Sequence, residues 1–569
     1  MSWSFAVARF LSIALPLLFA VSWVPATTAA ESEPAANSYG FPQVEQINSY
    51  ISRGWLENEL TPSKPATDGE WCRRVYLDVI GRIPSVSELD WFLKNRSENK
   101  KAELLSKLLG DEYVEEYANH WTTIWTNILI GRTGGTDDDA LTSRPGMKQY
   151  LRRSLQQNKP YDQMVYELIT ATGTTTPGGA NFNGATNFLV DKYIEEAAQA
   201  TAKTAQIFLG LQVQCTQCHN HPFNDGKQNQ FWELNAFFRQ SRPLRNYEAG
   251  EIAGVELIDE SFAGESGNPA EADIFYELRN GLVKVAYPVF VDGASLVSIK
   301  GEAIGNSGYL EDVNRREELG KLVMQSEDLH KAIANRYWSR FLGYGFTKPI
   351  DDMGPHNPPT HPELLDALGM EVRKHSFDLK ELIRWVALSE AYGLSSRLNA
   401  SNQKDDPALG TRPMFSHFYL RQMEAEQLYD SLIVATQAHK TQGSYEEQEA
   451  TKRAWLGQFA TAFGTDEGDE TTTFNGTITQ TLMMMNGELV EQATSAEPGS
   501  FLHTVAQNGE WSNPTKIKYL YLAALARMPS SRELSVSNQL LAARKGNVVA
   551  ALQDVWWVLL NTNEFILIH

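Results

Sequence analysis

Residues 211–226, LQVQCTQCHNHPFNDG, gather two of the three cysteines and two of the eleven histidines in this 569-residue chain. Cys215, Cys218 and His219 spell C-x-x-C-H. At that spacing two thioethers tether one covalent c-type haem and the adjacent histidine reaches its iron as proximal ligand. The distal ligand is open: His221 is too near His219 in sequence to take the opposite axial position, and Met353, His356 and His361 are remote candidates of equal standing. A second chemistry uses the two thiolates with His219, His221 or both around a single zinc or iron ion, and then needs a further ligand from a distant segment. A third involves no cofactor: a Cys215–Cys218 disulfide closes the turn and the histidines act as hydrogen-bonding caps. Haem leads these readings, because in a chain with so few cysteines a chance C-x-x-C-H is improbable.

A second polar cluster, KPIDDMGPHNPPTHPELLDAL (348–368), holds Asp351, Asp352, His356 and His361. Two carboxylates and two imidazoles suit a divalent metal. The structural reading is stronger, since Thr360 and Glu363 have capping-box spacing and four prolines stiffen a loop that launches the next helix. The three aspartates at 137–139 read as a solvated loop. There is no G-x-S-x-G elbow, H-E-x-x-H, phosphate loop or dinucleotide glycine motif, so nothing assigns a hydrolase, kinase or nicotinamide-dependent dehydrogenase.

The elements that must position these residues are mostly helical. Apolar residues recur at three- and four-residue intervals through 101–131, with a break at Gly110, and again through 329–345, 361–375, 379–393 and 418–438. The pattern over 195–215 predicts a helix running straight into the cysteines, and 229–240 predicts the next one. Only 246–305 is rich in β-branched residues and turn signals, at Asn280–Gly281 and Gly293, and it predicts two to four antiparallel strands. YLDVIGRIPSVSEL (76–89) is echoed by YLAALARMPSSREL (521–534), each a helix end, an Arg-x-Pro loop and a Ser-x-x-Glu start. That repeat is a construction unit rather than a catalytic one.

Hydrophobic residues make up 42% of the chain and charged residues 21%, enough apolar material for a large soluble core. With 70 acidic against 50 basic residues the formal charge is −20, which disfavours nucleic acid and anionic membrane as partners. Residues 1–30 have a lone Arg9, an apolar run and a small-residue end at Thr28–Ala30, the layout of a cleavable secretory signal. The expectation is therefore an exported protein, periplasmic or extracellular, with no membrane attachment after cleavage. In an oxidising compartment Cys215 and Cys218 do not persist as free thiols. Cys72, in EWCRRVYL, is expected to pack as a small apolar side chain.

RRVYLDVIGRIPSVSEL, NKPYDQMVYELITATG, FLGLQVQCTQCHNHPFNDGKQNQFWELNAFF and YPVFVDG together resemble the planctomycete cytochrome-associated domain PSCyt-two. ANRYWSRFLGYGFTKPIDDMGPHNPPTHPELLDAL, EAEQLYDSLI, TQTLMMMNGELV and VLLNTNEFI resemble its companion, PSD-one. Both are domains of unknown function in exported proteins, many of which carry an additional cytochrome-c-like domain, so the resemblance implies redox work by association. On this resemblance no segment of the sequence is expected to correspond to that extra domain, and any haem is expected at 215–219. The family usually has Asp at the position of Asn220, a difference that weakens a metal role for that side chain. The expected architecture is mainly α: a helical PSCyt-two-like domain over 31–245, a β-containing segment over 246–305, and a helical PSD-one-like domain over 306–569. The expected function is c-type-haem electron transfer with a redox partner protein. The alternative is a non-redox exported scaffold or binding protein whose Cys/His cluster is a disulfide or metal-stabilised knot.

Overall fold

Capping chemistry sets where many of the helices begin. In the computed structural model, Thr67, Ser85 and Ser530 each accept from the amide three residues on, and Glu70, Glu88 and Glu533 return the bond. Three capping boxes thus open the helices Asp68–Ile80, Val86–Lys94 and Ser531–Ala543. The structure describes residues 37–569 other than 137–139, 194–196, 223, 249–250, 261–274, 297, 299–312, 437–443, 445–446, 448–449, 451–487 and 499. The expected signal segment and the aspartate run at 137–139 lie outside the described residues.

The sequence repeat is a structural repeat. Asp68–Ile80 ends on Gly81 and Asn513–Leu525 ends on Ala526, both in the left-handed region at φ 80° and 53°. Arg82 then bonds Glu88 and Glu116, while Arg527 bonds Glu533 and Glu564. Each guanidinium also lies over the tyrosine that opens its repeat, Tyr76 at 5.5 Å and Tyr521 at 5.6 Å. The helix that leads into the first copy also reaches the second: a Cβ on Gly69 would stand 2.1 Å from the Ala526 carbonyl oxygen, so only glycine allows that approach.

The fold is mainly helical with small sheets. Strand β1 (Gly173–Thr174) pairs with β3 (Glu251–Asp259), which pairs with β2 (Ser241–Glu248); β4 (Phe275–Glu277) pairs with β5 (Val283–Val285); β6 (Arg421–Gln422) pairs with β7 (Leu567–Ile568). All these pairings are antiparallel. The β-rich stretch thus begins at Ser241 and forms strands of two separate sheets. Its β4–β5 turn holds Gly281 at φ 81°, as the Asn-Gly signal predicts.

One hydrophobic cluster runs from Val44 to Ile568, through both helical halves, and Ser38–His569 forms a single unit. Buried arginines lace the halves together. Arg73 donates to the carbonyls of Ala524 and Phe565, and Arg74 to those of Tyr392 and Leu394. Asp78, 1% exposed, accepts two bonds from Arg421 and one from the Tyr392 hydroxyl. Among the described residues no helix is long and apolar enough to cross a membrane.

Candidate functional site

The chain reaches the cysteines by a route that periodicity does not forecast. The helix Ala198–Thr204 widens into a π-helical turn, Ala205–Leu209, and stops at Gly210 with φ 66°. The predicted continuous helix to Cys215 is therefore cut short by a left-handed glycine. After three residues a 3-10 turn, Gln214–Gln217, carries the first cysteine. Cys218 follows as the residue that closes this turn. Both are exposed and unbridged. His219 follows, and its Nδ1–H donates to the Asn220 carbonyl at 2.7 Å. That bond fixes the tautomer and leaves Nε2 with its lone pair directed away from the backbone, the arrangement in which histidine serves as a ligand.

The bonds that hold the turn run through other atoms. Thr216 Oγ1 donates to Val213 O at 2.6 Å, and Gln217 O accepts from Trp232 Nε1 at 3.0 Å and Gln228 Nε2 at 3.3 Å. Asn220 Oδ1 accepts from Gln228 N at 3.0 Å, at the opening of the helix Gln228–Asn235. This role needs only a side-chain oxygen, so asparagine meets it as aspartate would. His221 N donates to Gly226 O at 2.8 Å, while its Nδ1 accepts from Asn224 N at 3.1 Å. The Nδ1 lone pair of His221 is thus occupied within the turn, and His219 Nε2 makes no hydrogen bond among the described residues.

The second polar cluster clasps this segment. Asp351, 8% exposed, accepts from Gln206 Nε2 at 2.7 Å and Gln212 Nε2 at 3.0 Å, one on each side of Gly210. Met353 N donates to Gly210 O at 2.7 Å, and a Cβ on Gly210 would meet Met353 Cε at 2.5 Å. The His356 ring lies 6.1 Å from that of His221, with its Nε2–H on Asp352 Oδ1 at 2.9 Å. Of the three remote candidates, Met353 and His356 therefore come to the cysteine segment. His361 does not: it is buried against Phe346 and Phe415, and burial lowers its pKa from 6.5 to about 4. Thr360 bonds the His361 ring instead of capping, and His361 occupies the N-cap, so the expected Thr360–Glu363 box is not made. Gln206 and Gln212 went unforeseen, because nothing in sequence links them to a carboxylate in the other half.

Among the described residues no group of three or more His, Cys, Asp or Glu side chains is arranged to hold a metal ion. Cys72 is fully buried and burial raises its thiol pKa, as expected of a core residue. A cleft of about 1240 Å³ lies elsewhere, lined by Lys64, Glu70, Arg397, Arg527, Glu533 and Glu564 among others. Its carboxylates are engaged: Glu70 on Thr67 and Ser395, Glu533 and Glu564 on Arg527. Hydrogen bonding to Arg527 holds Glu533 at about 2, too acidic to shuttle protons near neutrality.

Residues 46–243 match the family described as PSCyt2, Protein of unknown function (DUF1549). Residues 315–462 match the family described as PSD1, Protein of unknown function (DUF1553). No curated protein and no solved structure matches the chain.

Proposed function

The chain belongs to the family in which a PSCyt2 region is followed by a PSD1 region, both of unknown function, and we propose that it is an exported electron-transfer protein with one c-type haem on Cys215 and Cys218. The observation that carries this reading is the division of labour in the turn. Its shape rests on Thr216, Gln217, Asn220, His221 and Gly226, while the two thiols and His219 Nε2 share none of those bonds. Groups held in place yet structurally idle are groups kept for chemistry.

The donor set fits. The two exposed thiols would form the thioethers, and His219, oriented by its Nδ1–H bond, would hold the iron through Nε2. A bound haem would supply one-electron chemistry at the protein surface. The chain's own part is to fix His219, to hold the segment 206–212 through Asp351, and to leave the cysteine face open to a redox partner protein.

The competing reading is an exported scaffold whose Cys/His turn is a disulfide or metal-stabilised knot. It draws on the dense bonding of the turn, and it makes the cysteines necessary for folding. Producing the chain with its own leader in a host that matures c-type cytochromes separates the two. The redox reading expects a Soret band and a sharp α-band on dithionite reduction, both lost in C215A/C218A. A colourless chain that unfolds when the cysteines are replaced contradicts it.

A further inference from the structure

We propose that the β4–β5 hairpin beside the cysteine turn is a docking edge for an extended segment of a partner protein, apolar at alternate positions and flanked by acidic residues. This does not depend on what the thiols carry.

Phe275, Leu282 and Val283 are 53%, 53% and 54% exposed, and all three belong to this one ribbon. Cross-strand register pairs Phe275 with Val285 and Glu277 with Val283, so those four side chains share the outer face. Tyr276 faces inward, 6% exposed and stacked on Trp232 at 6.2 Å. A two-stranded ribbon is marginal in water without a third strand or a covered face. Here the outer face is open, and on the inner face Tyr276 is covered while Lys284 opposite it is exposed.

The edges differ as well. On β4, Glu277 O accepts from Gln228 Nε2 at 2.8 Å, the same side chain that bonds Gln217 O in the cysteine turn. Among the described residues the outer edge of β5 has no strand beside it. An apolar, unpaired edge is the template used in strand addition.

Charge selects the occupant. The chain carries a formal −20, yet Arg279 and Lys284 on this ribbon have no ion-pair partner among the described residues. They complement acidic flanks on an incoming segment. A second copy is disfavoured in the register that pairs all of β5, because a two-fold axis at its central residue sets Lys284 against Lys284, and like charges directly opposite repel.

The test uses the purified full-length chain and a fluorescein-labelled peptide of about ten residues, alternating Val and Thr between terminal Asp pairs. Titration by anisotropy is combined with amide exchange read over 275–285. The expected result is saturable binding that slows exchange at 282–285 and weakens at least about tenfold in Leu282→Asp/Val283→Asp. Arg279→Glu/Lys284→Glu should weaken it too, and a Lys-flanked peptide should bind less well. Absence of binding to the unmodified chain overturns the proposal, as does binding that Leu282→Asp/Val283→Asp leaves unchanged. Self-association of the unmodified chain that is lost in Leu282→Asp/Val283→Asp would assign the edge to a second copy and equally overturn it.

Discussion

Cys215 and Cys218 stand on a turn whose hydrogen bonds run through other atoms, which makes their contribution to stability and to chemistry separable. Replacing both by Ala should change unfolding free energy by no more than about 0.5 kcal/mol, as for other exposed positions, measured by urea titration. A loss several times larger would return the cysteines to a structural role. His330 has the opposite character: it is 1% exposed, and neither ring nitrogen has a hydrogen-bond partner among the described residues. Burial, with Arg373 and Lys331 adding to it, lowers its pKa from 6.5 to about 4. The unfolded chain therefore binds the extra proton first, so this stabilisation is complete above about pH 6.5 and is lost as pH falls toward 4. His330→Leu should flatten the pH dependence of stability across that window, and an unchanged acid limb would contradict the assignment. The C-x-x-C-H spelling and the burial of Cys72 were legible from residues alone. Which histidine offers a free nitrogen was not, since it depends on whether Asn220 O or Asn224 N meets the ring.

At the scale of elements, local chemistry read more clearly than long-range chemistry. Ser85 with Glu88 and Ser530 with Glu533 announced both capping boxes of the repeat. Glu116 and Glu564, which complete the arginine clusters, lie outside the repeated stretch and left no signal. Apolar periodicity carried the predicted helix through to Cys215 because a π-helical turn and a Gly stop barely disturb that pattern. The clasp was hidden for a different reason: Asp351 is 145 and 139 residues from the two glutamines it joins. Asp351→Ala removes the acceptor of two side-chain amides and should cost about 1–3 kcal/mol. It should also speed amide exchange at 206–221 more than in the helix Glu327–Leu342. Uniform acceleration across both segments would show that Asp351 acts on global stability and not on the cysteine segment.

For the whole molecule, the sequence predicts two helical regions around a β-containing segment, and one hydrophobic cluster holds side chains from both. Residue types say which side chains are buried but not which distant element buries them. Asp78 and Arg421 form the most telling link, an ion pair between side chains 1% and 7% exposed. Asp78→Ala leaves the guanidinium uncompensated and should cost about 3–5 kcal/mol, with one unfolding transition retained. A fragment ending at residue 245 should lack cooperative unfolding by circular dichroism, because Arg73 and Arg74 lose their carbonyl partners at 392, 394, 524 and 565. A folded, cooperative fragment would contradict the shared core. The formal charge of −20 acts at this scale also, as a long-range repulsion of polyanions. The most direct measurement of the central claim is the denatured intact mass of the chain produced in a haem-maturing host, followed by mass mapping of its peptides. Covalent attachment at Cys215 and Cys218 predicts the mass of the polypeptide plus one haem, with the increment confined to the peptide spanning 215–219. A chain at its unmodified mass, or one lighter by two hydrogens, would contradict it.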